Sequence, residues 1–199
     1  MKTRNKALVL TLCAVLLVVA TVMGTLAYLT AETGPVTNTF TVGKVDIELK
    51  ETKTPDADGK RNFKMVPGCE IEKDPKVTVK TGSEACWLFV KMDKANDVDN
   101  YLTITVADGW TQLKDDSNAV VPGVYYRKVE ANQIGTAFSV LANDKVTVKD
   151  TVTTTMMQTA EQKAPTLTFK AYACQLTKDG TTDFTAAEAW DQVKPTATP

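Results

Sequence analysis

The chain has 199 residues, with 23 lysines and arginines against 24 aspartates and glutamates, no histidine and a formal charge of −1. A near-neutral balance with no basic cluster argues against a nucleic-acid or anionic-membrane partner, because both need a basic footprint. The missing histidine removes the commonest zinc ligand and the commonest general base together.

The chain opens on Lys2, Arg4 and Lys6, and then runs apolar over residues 7–23, interrupted only by Thr11, Cys13 and Thr21. This is a signal-peptide pattern, expected to form a helix. Gly24 loosens the end of that helix, and Thr25-Leu26-Ala27 sets small residues at −3 and −1 of a cleavage site between Ala27 and Tyr28. The alternative is an uncleaved anchor, against which a run of seventeen is short of the about 20 residues a span requires. Removing residues 1–27 takes three basic residues and no acid, leaving 172 residues at a charge of −4, a length suited to one domain.

Residues 28–40 are too polar to fold alone and read as an extended segment. Phe40 and Val42 share one face, and alternation resumes at Val45, Ile47 and Leu49 after a slip that a bulge at Gly43 explains. A polar loop spans residues 54–62, and residues 63–66 read as a short strand stopped by Pro67-Gly68. Residues 71–79 alternate as one strand whose proline keeps its start near an edge. The run Cys86-Trp87-Leu88-Phe89-Val90 is apolar on both faces, which predicts a central strand covered on both sides.

Further strands are predicted at 101–106, 124–129, 137–141, 145–148 and 166–175, separated by turn-forming residues at sandwich-like spacing. Residues 151–161, with Met156 and Met157, read as a short rim helix. The spacing Thr185-Ala186-Ala187-Glu188 is a capping box that predicts a helix to about Val193 anchored by Trp190. Residues 194–199 read as a flexible tail. The fold class is mostly β, an antiparallel jelly-roll-like β-sandwich over residues 40–193 with one or two short helices, preceded by the signal-peptide helix.

The stretch TLAYLTAETGPVTNTFTVGKVDIEL resembles the SipW-dependent-type signal peptide and first strand of the TasA and camelysin family, secreted matrix-fibre proteins of Gram-positive bacteria. Pro67-Gly68 before Lys73-Asp74-Pro75, Thr81-Gly82-Ser83-Glu84, Ala171-Tyr172-Ala173 and Ala187-Glu188-Ala189-Trp190 extend the resemblance along nearly the whole chain. It implies a secreted subunit that assembles into biofilm-matrix fibres, with Tyr28, Leu29, Val36 and Phe40 in an assembly strand exposed by cleavage. The implied partners are further copies of the chain, a dedicated signal peptidase, and an accessory nucleating or anchoring protein. Contact with a membrane is then confined to the signal peptide before cleavage, and the location is the extracellular matrix or cell surface. Members related to camelysin are described as metallopeptidases, but the HExxH signature of such an activity requires the histidine that this chain lacks.

Beyond Cys13, the cysteines are Cys69, Cys86 and Cys174, an odd number. One reading pairs Cys86 with Cys174 and leaves Cys69 free, as suits an exported domain; the other makes all three buried thiols. In the family that this chain resembles, the position after the Pro67-Gly68 pair is commonly polar, so Cys69 is a departure. Asp93, Asn96, Asp97, Asp99 and Asn100, the pair Asp56 and Asp58, and the run Asp115-Asp116-Ser117-Asn118 are oxygen-rich loops of the kind that suits Ca²⁺. They equally fit solvated turns and lack EF-hand spacing. Trp87, Trp110 and Trp190 fit either a sugar-stacking platform or a core. CxxC pairs, GxSxG elbows and glycine-rich phosphate loops are absent, so no enzyme, metal or cofactor is expected. The runner-up function is a monomeric surface or matrix module binding polysaccharide or protein.

Overall fold

The computed structural model describes residues 44–51 and 63–195. The signal-peptide helix, the segment at 28–40, the bulge at Gly43, the whole 54–62 loop and the end of the tail lie outside these residues. In chain order the strands are β1 (Ile47–Lys50), β2 (Glu70–Glu72), β3 (Lys76–Val79), β4 (Cys86–Ala95), β5 (Leu102–Thr103), β6 (Thr111–Lys114), β7 (Val120–Val129), β8 (Ala137–Ser139), β9 (Lys145–Val148) and β10 (Thr166–Gln175). Three α-helices join them: α1 (Val98–Tyr101), α2 (Thr154–Gln162) and α3 (Ala186–Val193). The described chain is therefore mostly β, as the alternation predicts.

All pairing is antiparallel. One sheet of four strands runs β10-β4-β7-β6, and two sheets of three run β1-β3-β8 and β2-β9-β5. The two smaller sheets are halves of one kinked layer. Between β2 and β3 the Lys73 N–H donates to the Asp144 carbonyl at 2.8 Å, and the Val140 N–H donates to the Pro75 carbonyl at 2.9 Å, so the ladder continues across the break. The single strand expected over 71–79 is thus two: Pro75 has no N–H to give, and the chain kinks around the buried Asp74. Its first piece, β2, lies at a sheet edge as expected.

The main core forms where one face of the four-stranded sheet meets this layer. Cys86, Leu88 and Val90 of β4 pack with Val77 and Val79 of β3, Val129 of β7 and Phe138 of β8. The opposite face of the same sheet is covered by α3, where Trp190 and Ala189 pack with Phe89 and Cys174. That two-sided burial is what the apolar run at 86–90 predicts. A third cluster seats α2 through Ala160 against Tyr101, Val148 and Val152. Both longer helices start where their hydroxyls accept a main-chain N–H, Thr153 from Met156 and Thr185 from Glu188. Gly123 is required where β7 approaches β4, because with φ at +70° a Cβ there would collide with the Met92 carbonyl oxygen.

Two expected strands need correction, and one strand was not expected. Residues 63–66 form no ladder; they lead into the Pro67-Gly68 turn, with Val66 exposed. Of the strand expected at 101–106, only Leu102 and Thr103 pair as β5. Tyr101 closes α1, entered through left-handed Asn96 and Asp97, and Val106 makes a lone bridge to Leu141. Strand β6 is absent from the sequence reading, since only Leu113 of its four residues is buried.

Candidate functional site

Among the described residues the longest uninterrupted sheet edge is β10. All ten of its residues pair with β4, from Thr166 opposite Ala95 to Gln175 opposite Cys86, and among the described residues no strand pairs with its other side. The ladder phase says which groups are left over. The Leu176 N–H donates to the Ala85 carbonyl at 3.1 Å, in the same register as the strand. Main-chain groups alternate along a strand, so Cys174, Tyr172, Lys170 and Thr168 also bond toward β4. Leu167, Phe169, Ala171, Ala173 and Gln175 therefore turn their N–H and C=O groups outward. Such a row is a ready template for another strand.

Side chains and charge leave that row accessible in kind. Phe169, Ala171 and Ala173 pack into the main core, and the last two are small. Lys170 is the one charged residue of β10, and it is held across the sheet by Asp93 at 3.3 Å, which also meets Lys91 at 3.2 Å. Burial would raise the Asp93 carboxyl, but hydrogen bonds from the two lysines hold it below its ordinary value.

Strand β1, the edge of the neighbouring layer, runs beside β10 with no backbone hydrogen bond between them. Lys73 marks one end of this seam: its ammonium bonds Glu51 at 2.6 Å and stands 5.7 Å from the ring centres of Phe63 and Phe169. Of the residues expected to act there, Ala27, Tyr28, Leu29, Val36 and Phe40 lie outside the described residues.

Cys86 and Cys174 are both buried free thiols. They stand on adjacent strands, with Cys174 opposite Trp87 and Gln175 opposite Cys86. Their side chains leave the sheet on opposite faces, Cys86 into the main core and Cys174 under α3. A disulfide does not span Cβ vectors that point apart without movement of the backbone. The paired-cysteine expectation is thus not met in this structure, and nor is the reading with three buried thiols, since Cys69 is exposed. Burial pushes the Cys86 thiol up to about 11, with the nearby Cys174 adding to the rise, and burial raises Cys174 as well.

The tryptophans build the core rather than a platform. Trp110 and Trp190 are buried, and the indole N–H groups of Trp87 and Trp110 donate to the Phe184 and Ser139 carbonyls, each at 2.8 Å. In the acidic loops, one Asp115 oxygen accepts from the Ser117 and Ala119 N–H groups, each at 2.9 Å, and Asp99 pairs with Lys94 at 2.8 Å. These carboxylates tie turns; Asp56 and Asp58 lie outside the described residues. Among the described residues no three histidine, cysteine, aspartate or glutamate side chains gather as a metal site. No protein-family model, curated protein or solved structure matches the chain.

Proposed function

We propose that the chain is a secreted structural subunit that assembles into extracellular matrix fibres by strand addition. Cleavage between Ala27 and Tyr28 frees the segment at 28–40, with Tyr28, Leu29, Val36 and Phe40 as its apolar contacts, and that segment completes the β10 edge of the next copy. The observation that carries this reading is the row of five outward-facing main-chain positions along β10. A head-to-tail contact of this kind does not close on itself, so it propagates as a filament. The pairings of β3 with β8, β2 with β9 and β4 with β7, with the first and last strands side by side, support a jelly-roll arrangement in which that seam is the natural place for an added strand. The partners under this reading are further copies of the chain, a dedicated signal peptidase, and an accessory protein that nucleates or anchors growth.

The test uses electron microscopy of the chain beginning at Tyr28, incubated at rising concentration. Filaments are expected. Deleting residues 28–38 should abolish them while circular dichroism still reports a folded β domain. Ala171→Pro should do the same, because it removes one outward N–H and leaves the β10–β4 ladder whole. Filaments that persist in both variants would overturn the proposal, and a single monomer peak at every concentration would favour the monomeric binding module.

A further inference from the structure

Arg127 is the sole arginine among the described residues, and it occupies an unusual position. It lies opposite Leu88 in the β4–β7 ladder, on the inward face of β7 shared with Val129 and Tyr125. Its guanidinium carbon is 3.7 Å from the ring centre of Phe138 and 5.4 Å from that of Trp110. The Trp110 ring is itself pinned by its bond to the Ser139 carbonyl. The cation is therefore held against two rings, which reduces the ordering cost that a free arginine pays on binding.

Among the described residues its polar demands are unmet. Most described lysines reach a carboxylate within 4 Å, as Lys73, Lys76, Lys91, Lys94, Lys128 and Lys145 do, whereas Arg127 has no acidic partner among the described residues. Its Nε is buried and makes no hydrogen bond. Burial lowers the guanidinium's affinity for its proton, although an arginine stays charged at neutral pH. A half-buried cation with aromatic contacts alone gains strongly from an anion. The way in is set by Gly109. This exposed residue, at φ +85°, lies so close that a Cβ on it would stand 3.3 Å from Nη2 and 3.4 Å from Nη1. A side chain there would crowd the two terminal nitrogens, and glycine leaves that space beside them unfilled.

We propose that Arg127, clamped on Phe138 and Trp110 and uncovered at Gly109, is a binding site for a carboxylate group. The planar fork of Nη1 and Nη2 matches the two oxygens of a carboxylate in a bidentate pair. Two sources present that chemistry, an acidic amino-acid side chain and a uronic-acid sugar.

The test is a titration of the purified chain with two probes, N-acetylglutamate amide and a galacturonate oligomer, followed by calorimetry and thermal melting. Saturable binding that raises the melting temperature is expected with at least one probe, and which one responds identifies the source. Arg127→Met should abolish the response, and Arg127→Lys, which keeps the charge without the fork, should weaken binding about tenfold or more. An equal response from wild type and Arg127→Lys to both probes, or no saturable response from wild type, overturns the proposal. Loss of folding in Arg127→Met assigns the residue to the core only if Arg127→Lys also binds like wild type.

Discussion

The two faces of the four-stranded sheet place one strand, β4, in two kinds of environment. On the inner face Cys86, Leu88 and Val90 meet side chains from both the sheet's own neighbours and the opposing layer, so burial there is shared among distant parts of the chain. On the outer face Phe89 is capped by one eight-residue helix, α3, through Trp190 at 5.3 Å between ring centres, with Tyr126 of β7 beside it at 6.4 Å. Toward the other end of that face, cover gives way to the Lys91–Asp93–Lys170 ion pairs. The inner face holds the domain together, and the outer face can be opened by undocking one element.

Truncation on each side measures this difference. Leu88→Ala should cost about 3–5 kcal/mol and lower the urea midpoint of the whole domain in one cooperative step. Trp190→Ala should cost about 3 kcal/mol and, in contrast, release α3 first, seen as early proteolysis after β10 with the β signal intact. A single coincident transition in both variants would erase the distinction between the faces.

The helix cap gives a smaller effect. Thr185→Ala removes a capping box in which the Glu188 carboxylate also accepts from the Thr185 N–H at 2.9 Å, and should cost about 1 kcal/mol. The Lys178 ammonium, followed by the Thr185 N–H, lowers the Glu188 carboxyl from 4.5 to about 2. A carboxyl depressed on folding stabilises above its unfolded value and loses that contribution as pH falls, here between about 4.5 and 2. Trp190 fluorescence should therefore report α3 loosening in that window, and Glu188→Gln should flatten the acid limb.

The thiols provide the gentlest probe. Iodoacetamide near neutral pH should label exposed Cys69 alone in the native domain, with Cys86 and Cys174 reacting after unfolding. In the Trp190→Ala variant, Cys174 should become reactive while Cys86 stays protected. A mass two hydrogens lighter under non-reducing conditions, assigned to a Cys86–Cys174 bridge, would contradict their placement on opposite faces.

The elements most legible in the sequence carry their whole burial pattern locally. The apolar run at 86–90 announces a strand buried on both faces, Thr185 with Glu188 announces α3, and the residues of β10 and β9 are recovered as expected. What was hidden depends on pairing partners. β6 has one buried residue, Leu113, and is a strand only because β7 lies beside it. The 71–79 run looks continuous until its pairing with β8 and β9 shifts register around Pro75. The candidate edge was half legible: the residues of β10 could be read, but not which side of it has no partner, because that follows from sheet order. The Arg127 clamp had no sequence signal, since Trp110 and Phe138 reach it from separate segments.

The long register of β10 also bears on how the domain carries load. A pull along the strand axis, with β4 held, strains its cross-strand bonds in shear, so that they must yield together. A pull at right angles from the Gln175 end peels them one at a time. A tension member benefits from the first geometry, and ten matched residues are long enough to spread the force.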